Sequence, residues 1–285
     1  MNKPIAAPSR TKEILQQFGL HAKKGYGQNF LTDVSVVSRC AQVSHCEGAV
    51  IEIGPGIGSL TEQLALCSKH VRAYEVDEKL IPVLKETLKE YGNVEVILQD
   101  FLEADVESSV RELREAYGSV AVCANLPYYI TTPILFRLFE CREGIPYITV
   151  MVQKEVADRF AAEPGSKDYG ALSVESQYLY DVKKLYAVPR NSFQPAPNVD
   201  SAVIQFRQKE IDDPVDDREA FFELVKACFK QRRKTIYNNV REYLGNGETA
   251  VRVLREADID PGCRAQELGQ KEFRRLYERT CLCQD

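Results

Sequence analysis

Short apolar runs recur along the first half of the chain, and each is followed by polar or glycine-containing residues. Four of these runs have the length and the β-branched content of buried strands. They are residues 49–53, 71–75, 94–99 and 120–124. After the fourth run, Thr132 and Pro133 provide a cap and a first-turn proline, which predicts that a helix begins there. Strands that alternate with helices predict a doubly wound α/β sheet with parallel strands.

The pattern changes in the last quarter of the chain. Residues 212–217 are acidic and loop-like, which predicts a domain boundary. Three apolar residues beyond it recur at helical spacing and predict the buried face of a helix. They are Phe222, Val225 and Phe229. We therefore expect an α/β domain over residues 1–210, including a basic N-terminal arm, and a small helical domain over residues 211–285.

Length and composition leave room for both domains, since the chain has 285 residues and is 44% hydrophobic. No apolar stretch approaches the ~20 residues that a membrane-spanning helix needs. Residues 1–8 lack the apolar core of a signal peptide. We expect a soluble cytoplasmic protein that does not enter a membrane.

The nine cysteines and three histidines do not form a recognisable metal-binding pattern. The cysteines are scattered without paired C-x-x-C spacing. The histidines lie apart from any cysteine or carboxylate cluster, except for the single His45-Cys46 pair. We expect reduced thiols and no metal site.

Charge is distributed unevenly along the chain. The net charge is -5, yet residues 1–30 carry five basic and one acidic side chain, and residues 222–241 carry six basic and one acidic. An acidic body with two basic segments suits capture of a phosphate backbone, although a single basic run can also be a solvated helix face. Lys226, Lys230 and Arg233 have the spacing of one helix face and predict a phosphate-binding stripe. The candidate RNA-binding residues are Lys23, Lys24, Lys226, Lys230, Arg232, Arg233 and Lys234.

A glycine-rich turn follows the first predicted strand. Gly54, Gly56 and Gly58 form a G-x-G-x-G pattern, and a helix follows. A dinucleotide-binding turn has G-x-G-x-x-G, whose third glycine would fall at Ser59. The observed spacing is typical of S-adenosylmethionine (SAM) methyltransferases. It disfavours an NAD-dependent oxidoreductase, for which the chain also lacks a recognisable catalytic Tyr-x-x-x-Lys arrangement.

Two acids close the next two predicted strands. Glu75 lies 21 residues after Gly54 and is suited to accept hydrogen bonds from ribose hydroxyls. Asp100 follows the third strand, where a carboxylate can accept a proton from an adenine amino group. Either acid alone could be a surface residue or a helix cap. Together with Gly54 and Asn125, which end two other strands, they favour a SAM site.

The fourth strand is followed by Asn125-Leu126-Pro127-Tyr128. Pro127 fixes a backbone torsion and cannot donate a hydrogen bond, so the neighbouring carbonyl groups are held in a set geometry. These carbonyls and the Asn125 amide suit a substrate that bears N–H groups, and Tyr128 offers a flat face for a ring. The combination resembles the Asn/Asp-Pro-Pro-aromatic motif of methyltransferases that modify exocyclic amino groups of bases. A structural turn is the alternative, since Asn and Pro are ordinary turn residues.

A hairpin at the far edge of the sheet is predicted by two further apolar runs, residues 183–188 and 202–206, joined by a proline-rich loop. In methyltransferase topology such a hairpin turns at the active-site end. Phe193 in this loop could then close the pocket opposite Tyr128, or it could be a loop anchor that packs into the core.

Five segments, taken in order, resemble the small-subunit rRNA adenine dimethyltransferases. They are residues 27–31 (GQNFL), 52–58 (EIGPGIG), 125–130 (NLPYYI), 193–203 (FQPAPNVDSAV) and 231–235 (QRRKT). The resemblance runs from about Thr11 to the last quarter of the chain. It implies a class I SAM-dependent methyltransferase fold with a helical C-terminal domain.

The resemblance also implies a specific reaction, which is the transfer of two methyl groups to N6 of each of two adjacent adenosines in the 3'-terminal hairpin of 16S rRNA. The implied partner is the immature small ribosomal subunit, late in assembly, and we expect a monomeric enzyme. The candidate catalytic residues are Asn125, Leu126, Pro127, Tyr128 and Phe193. The candidate SAM-binding residues are Gln28, Asn29, Leu31, Gly54, Gly56, Gly58, Glu75, Asp100 and Asn125.

Two alternatives share some of these features. The Erm enzymes methylate a 23S rRNA adenosine on the same scaffold, but they usually carry Ile at the position of Leu126 and lack the Gln-Arg-Arg-Lys run with its extended C-terminal helices. A non-catalytic ribosome-assembly factor would keep the basic surfaces and could lose the methyl-transfer pocket. The intact Gly54, Glu75, Asp100 and Asn125 argue against this second alternative.

Overall fold

A computed structural model of the chain describes residues 3–20, 29–212 and 214–282. The chain divides into two compact units. The first comprises Met1–Ala157 and Lys183–Gln208, and the second comprises Asp158–Val182 and Lys209–Asp285. The sequence expectation had assigned residues 158–182 to the first domain, whereas the structure groups them with the C-terminal helices. No helix within the described residues combines the length and apolar character needed to span a membrane.

A seven-stranded, mostly parallel sheet organises the first unit, with the strand order β4-β3-β2-β5-β6-β9-β7. Strands β2 to β6 pair in parallel, and β9 pairs antiparallel with β6. A separate pair is formed by β1 and β8. The strands are β1 (Phe30–Leu31), β2 (Ala49–Ile53), β3 (His70–Glu75), β4 (Val94–Leu98), β5 (Val120–Asn125), β6 (Tyr147–Gln153), β7 (Tyr180–Val188), β8 (Phe193–Gln194) and β9 (Ser201–Gln208).

The four apolar runs of the first half are the strands β2 to β5, so the α/β prediction is confirmed. Every residue of β2 is buried, as is expected for a strand in a sheet covered on both faces. Because β2, β3, β4 and β5 are parallel and adjacent, their carboxyl ends lie at one edge of the sheet. The helices of this unit are α1 (Pro8–Gln17), α2 (Val34–Gln42), α3 (Ser59–Cys67), α4 (Ile81–Thr87), α5 (Val106–Tyr117) and α6 (Thr131–Glu140), and α7 (Lys154–Phe160) runs into the second unit.

Five further helices lie in the described part of the second unit. They are α8 (Ala171–Leu179), α9 (Arg218–Phe229), α10 (Ile236–Leu244), α11 (Gly247–Glu256) and α12 (Gln270–Cys281). The buried face of α9 is one residue out of step with the predicted stripe, because Phe222 and Phe229 are only half-buried. The fully buried residues are Phe221, Leu224, Val225 and Cys228. Phe221 packs against both Tyr178 and Tyr277, so contacts with other helices decide which face turns inward.

The predicted helical stripe of basic residues is wrong in one respect. Helix α9 ends at Phe229, so Arg233 lies in the turn before α10 and does not continue the face that carries Lys226. The five described candidate RNA-binding residues, from Lys226 to Lys234, are nevertheless all exposed. Lys23 and Lys24, the other two, lie outside the described residues.

Candidate active site

One pocket lies at the edge where the parallel strands end. It brings together eleven residues that the sequence predicted as catalytic or cofactor-binding. They are Asn29, Leu31, Gly54, Gly56, Glu75, Asp100, Asn125, Leu126, Pro127, Tyr128 and Phe193. Gln28 lies outside the described residues, and Gly58 is not among the residues that line the pocket.

The glycine turn connects β2 to α3. Gly54 and Gly56 have φ values of 69° and 62°, in the left-handed region where a side chain would strain the backbone. Gly58 is the N-cap of α3 with φ 93°, and a Cβ there would lie 3.1 Å from Leu88 Cδ2. The first two glycines therefore shape the wall of the pocket. Gly58 instead allows α3 to begin close to the side chain of Leu88.

Glu75, at the end of β3, is hydrogen-bonded to the glycine turn. Its Oε1 accepts hydrogen bonds from the backbone N–H groups of Val76 (2.9 Å) and Asp77 (2.8 Å), and its Oε2 accepts one from Gly56 (3.3 Å). The side chain is buried, and burial raises its pKa although the three N–H groups favour the charged form. A carboxylate has about four acceptor positions, so acceptor capacity remains for a ligand.

Asp100 follows β4 and caps a short 3-10 turn. Its Oδ1 accepts a hydrogen bond from the backbone N–H of Leu102 at 2.9 Å. Its Oδ2 makes no hydrogen bond to any residue in the described part of the chain. The helix-cap and ligand-binding interpretations are thus compatible, because one oxygen serves the turn and the other is available at the pocket wall.

The Asn-Leu-Pro-Tyr turn is held by hydrogen bonds of its backbone. The N–H of Leu126 donates to the carbonyl of Met151 at 3.0 Å, and the carbonyl of Pro127 accepts from Thr131 Oγ1 at 3.0 Å. The side-chain amide of Asn125, in contrast, makes no hydrogen bond to a described residue. A polar group left unpaired in a fixed turn is available for a ligand.

Tyr128 is fixed at both ends. Its backbone belongs to the held turn, and its hydroxyl lies 2.7 Å from Ser201 Oγ, at the start of β9. Burial raises the pKa of this hydroxyl. The ring is therefore held in place before any ligand binds.

Phe193 combines the two roles that the sequence left open. It is 3% exposed and packs in the core cluster that includes Val37 and Val203, yet its side chain also lines the pocket. It pairs with Leu31 across the β1–β8 ladder. This pairing brings the segment from Asn29 to Leu31 to the same pocket.

Glu52 is a pocket residue that the sequence analysis missed. It lies inside β2, is 1% exposed, and its Oε2 has no hydrogen-bond partner among the described residues. Its pKa is raised to about 8, because burial outweighs the hydrogen bond from the Thr61 hydroxyl and the neighbouring charge of Glu75 acts in the same direction as burial. The sequence pattern that could have revealed Glu52 is a single acid inside the apolar run AVIEI, since charged residues are rarely fully buried.

Replacing Glu52 with Gln is expected to flatten the pH dependence of stability. The folded state holds the proton up to about pH 8, whereas the unfolded chain releases it near the ordinary glutamate pKa of 4.5. Stability should therefore fall between these pH values by up to about 1.4 kcal/mol per pH unit in the wild type. Chemical denaturation at several pH values measures this slope, and Glu47→Gln, at an exposed acid just before β2, is the control. An identical slope in wild type and Glu52→Gln would contradict the assignment.

Comparison with known proteins identifies the family. The family described as "Ribosomal RNA adenine dimethylase" matches residues 19–280. "Ribosomal RNA small subunit methyltransferase A" of Geobacillus sp. is 49% identical, covering 97% of each chain, and its namesake in Staphylococcus epidermidis is 47% identical, covering 97% of this chain and 96% of the other.

Solved structures agree on the fold. The 23S rRNA methyltransferase ErmE is 28% identical with a TM-score of 0.68, covering 88% of this chain and 99% of its own. A dimethyladenosine transferase from Plasmodium falciparum is 25% identical with a TM-score of 0.71, covering 87% and 95%. These matches confirm the predicted class I methyltransferase fold. Because the family match spans most of the chain and the relatives are nearly half identical over its whole length, the protein belongs to the ribosomal RNA adenine dimethylase family.

Proposed function

We propose that this protein is a SAM-dependent enzyme that dimethylates N6 of two adjacent adenosines in the 3'-terminal hairpin of 16S rRNA. The observation that carries the proposal is the unpaired Asn125 amide, which lies in one pocket with the glycine turn and the two strand-end acids. The relatives named as small subunit methyltransferases match over nearly the whole chain, which favours the small-subunit substrate over the Erm-type 23S substrate.

The residues of the pocket fit the cofactor. Gly54 and Gly56 have no side chains that would fill the space beside the turn, Glu75 retains acceptor capacity for ribose hydroxyls, and Asp100 Oδ2 is available to an adenine amino group. Asn29 and Leu31 would complete the site from the β1 side. When bound, SAM supplies an activated sulfonium methyl group. The protein must then bring the acceptor nitrogen to it.

Asn125 and Leu126 would orient the acceptor. The N6 lone pair of adenine is delocalised into the ring and is a poor nucleophile. If the Asn125 side-chain oxygen and the Leu126 carbonyl accept the two N6 protons, the nitrogen is drawn toward tetrahedral geometry with its lone pair directed at the methyl group. Orientation of this kind can contribute up to roughly 7–11 kcal/mol to lowering the barrier.

Tyr128 would hold the flipped base by stacking, a contact worth about 1–3 kcal/mol. The hydrogen bond between its hydroxyl and Ser201 fixes the ring, so little side-chain freedom is lost when the base binds. Pro127 keeps the turn rigid, and Phe193 closes the apolar wall from the core. As the product nitrogen gains positive charge it becomes acidic, so it can release its proton without a strong base.

The choice of substrate can be tested directly. Small subunits and large subunits that lack their rRNA methyl groups are incubated separately with the enzyme and radiolabelled SAM. The proposal expects label in 16S rRNA and none above background in 23S rRNA. Label confined to 23S rRNA would support the Erm-type alternative, and label in neither would support an assembly factor without activity.

The basic residues in the last turn of α9 and in the segment that follows it would bind rRNA phosphates. Lys226 lies 3.6 Å from Glu175, Lys230 lies 2.6 Å from Glu242, and Arg232 donates to the carbonyl of Lys167. The side chains of Arg233 and Lys234 make no such contact with any described residue. These two cations are therefore the ones most available to phosphates, and Lys23 and Lys24 are proposed as further contacts.

Replacing both Arg233 and Lys234 with Ala is expected to weaken rRNA binding and to make it less salt-dependent. Each phosphate contact contributes about 0.7–0.9 to the magnitude of the slope of log affinity against log salt, so this slope should become shallower by up to roughly 1.4–1.8 in the double variant. Filter binding at a series of salt concentrations measures the slope, and calorimetry should show unchanged SAM affinity. Arg255→Ala, at an exposed residue of the same unit, is the control. An unchanged affinity and slope in the double variant would contradict the assignment.

The remaining features of the proposal follow from the reaction. We propose that the enzyme acts as a monomer in the cytoplasm, late in assembly, on an immature small subunit whose 3'-terminal hairpin is still accessible. The α/β unit would carry the chemistry, and the helical unit would carry the phosphate contacts other than those of Lys23 and Lys24.

A further inference from the structure

Two cysteines near the start of β2 form a close pair outside the pocket. Cys46 precedes β2, and Cys67 is the last residue of α3. Their Sγ atoms are 3.1 Å apart, while a disulfide would bring them to about 2.05 Å. The two sulfurs would have to approach by about 1 Å to be joined.

The two sulfurs differ in exposure and in charge. Cys67 is exposed, whereas Cys46 is buried at 3% exposure. The two thiols share one hydrogen bond in which either sulfur can donate. This bond lowers the pKa of Cys46 to about 7, with burial and the charge of Glu47 offsetting part of the effect, and the same bond together with burial raises the pKa of Cys67. The pair therefore loses its first proton readily, and the remaining proton lies between two sulfurs of which one, Cys67, is accessible to a reagent.

A second pair provides an internal comparison. Cys40 Sγ and Cys123 Sγ are 3.7 Å apart, and both side chains are fully buried. The hydrogen bond with Cys40 and burial both raise the pKa of Cys123. This pair is almost as close, but a reagent in solution has no exposed sulfur to reach. Proximity alone therefore does not distinguish the two pairs, whereas accessibility does.

We propose that Cys46 and Cys67 are a reversible modification site that is oxidised to a disulfide by low-molecular-weight disulfides. Cys46 ionises first and takes the proton of Cys67, and the Cys67 thiolate attacks one sulfur of the reagent, which forms a mixed disulfide and releases one thiolate. Cys46 gives this proton up to the solvent. The Cys46 thiolate then attacks Cys67 Sγ, which forms the intramolecular bond and releases the second thiolate. In total the cysteine pair gives up two electrons and two protons, and the reagent is reduced to two thiols.

The position of this bond links it to the cofactor site. The ring that it closes runs from Cys46 to Cys67 and contains all of β2, the glycine turn and α3. Glu52, Gly54 and Gly56 of the pocket wall therefore lie inside the ring. A disulfide that is reducible and closes around a functional segment is the kind found in redox-regulated intracellular proteins.

Mass spectrometry of the intact protein treated with oxidised glutathione tests the proposal. After free thiols are alkylated and the protein is digested, the proposal expects a cross-linked peptide joining Cys46 to Cys67 that dithiothreitol removes. Cys40 and Cys123 should remain reduced. A glutathione adduct that persists on Cys67 without a cross-link, or no modification of Cys67, would overturn the proposal. Cross-linking of Cys40 to Cys123 at the same rate would overturn the argument from accessibility.

Single variants separate the two steps. In Cys46→Ser, the glutathione adduct should accumulate on Cys67, because no thiolate is present to displace it. In Cys67→Ser, neither a cross-link nor an adduct on Cys46 should form, because Cys46 is buried. Rapid adduct formation on Cys46 in the second variant would contradict the assigned order of steps.

Discussion

Replacing Asn125 with Ala is expected to lower the rate of methyl transfer by at least about 10²-fold, the usual effect of removing one preorganised hydrogen-bonding group from an active site. Structural damage should be small, because the amide makes no hydrogen bond to a described residue that the substitution would break. Single-turnover assays measure the rate, while calorimetry should show that SAM still binds. An unchanged thermal midpoint would confirm that the variant is folded.

Two outcomes of the Asn125 experiment would change the role assigned to the amide. A turnover close to that of the wild type would contradict the assigned role of the amide. A complete loss of SAM binding with intact folding would show that Asn125 serves the cofactor and not the base. The comparison of turnover with SAM affinity therefore decides which ligand the amide contacts.

Replacing Glu75 with Ala is expected to reduce SAM affinity by about 10²-fold or more. The carboxylate accepts hydrogen bonds from the backbone N–H groups of Gly56, Val76 and Asp77. It is also the proposed acceptor for the ribose hydroxyls. Hydrogen bonds to charged groups are worth about 1.5–3 kcal/mol each, so losing two to the ribose accounts for this factor. Unpaired N–H groups left in a buried turn should also lower the thermal midpoint.

Calorimetric titration with SAM measures the affinity of the Glu75 variant. Glu78→Ala removes a neighbouring acid that is exposed and does not line the pocket, so its SAM affinity should match that of the wild type. Equal SAM affinity in Glu75→Ala and in the wild type would contradict the proposed ribose contact.

The position of the site could be predicted from the sequence because parallel strands have a simple pattern. Each buried strand is a short apolar run, and the residue that ends it must lie at the common edge of the sheet. Gly54, Glu75, Asp100 and Asn125 each end such a run or directly follow it, and all four line one pocket. The family resemblance then supplied the chemistry, which the spacing alone does not specify.

The features that the sequence did not predict depend on contacts between distant residues. Helix α9 ends at Phe229 although the basic run after it has no glycine or proline. The side chain of Asn239 accepts a hydrogen bond from the backbone N–H of Gln231 at 3.1 Å, which holds the chain in a turn there. The inward face of α9 is likewise set by Tyr178 and Tyr277. No local pattern contains this information.

Mapping of the modified nucleotides tests the central claim most directly. Immature small subunits that lack these methyl groups are incubated with the enzyme and SAM, and the 3'-terminal fragment of 16S rRNA is analysed by mass spectrometry. The account predicts four added methyl groups, as N6,N6-dimethyladenosine at two adjacent positions of the hairpin, and none with the Asn125→Ala variant. Methylation at a single adenosine, at another site, or equally by the variant would contradict it.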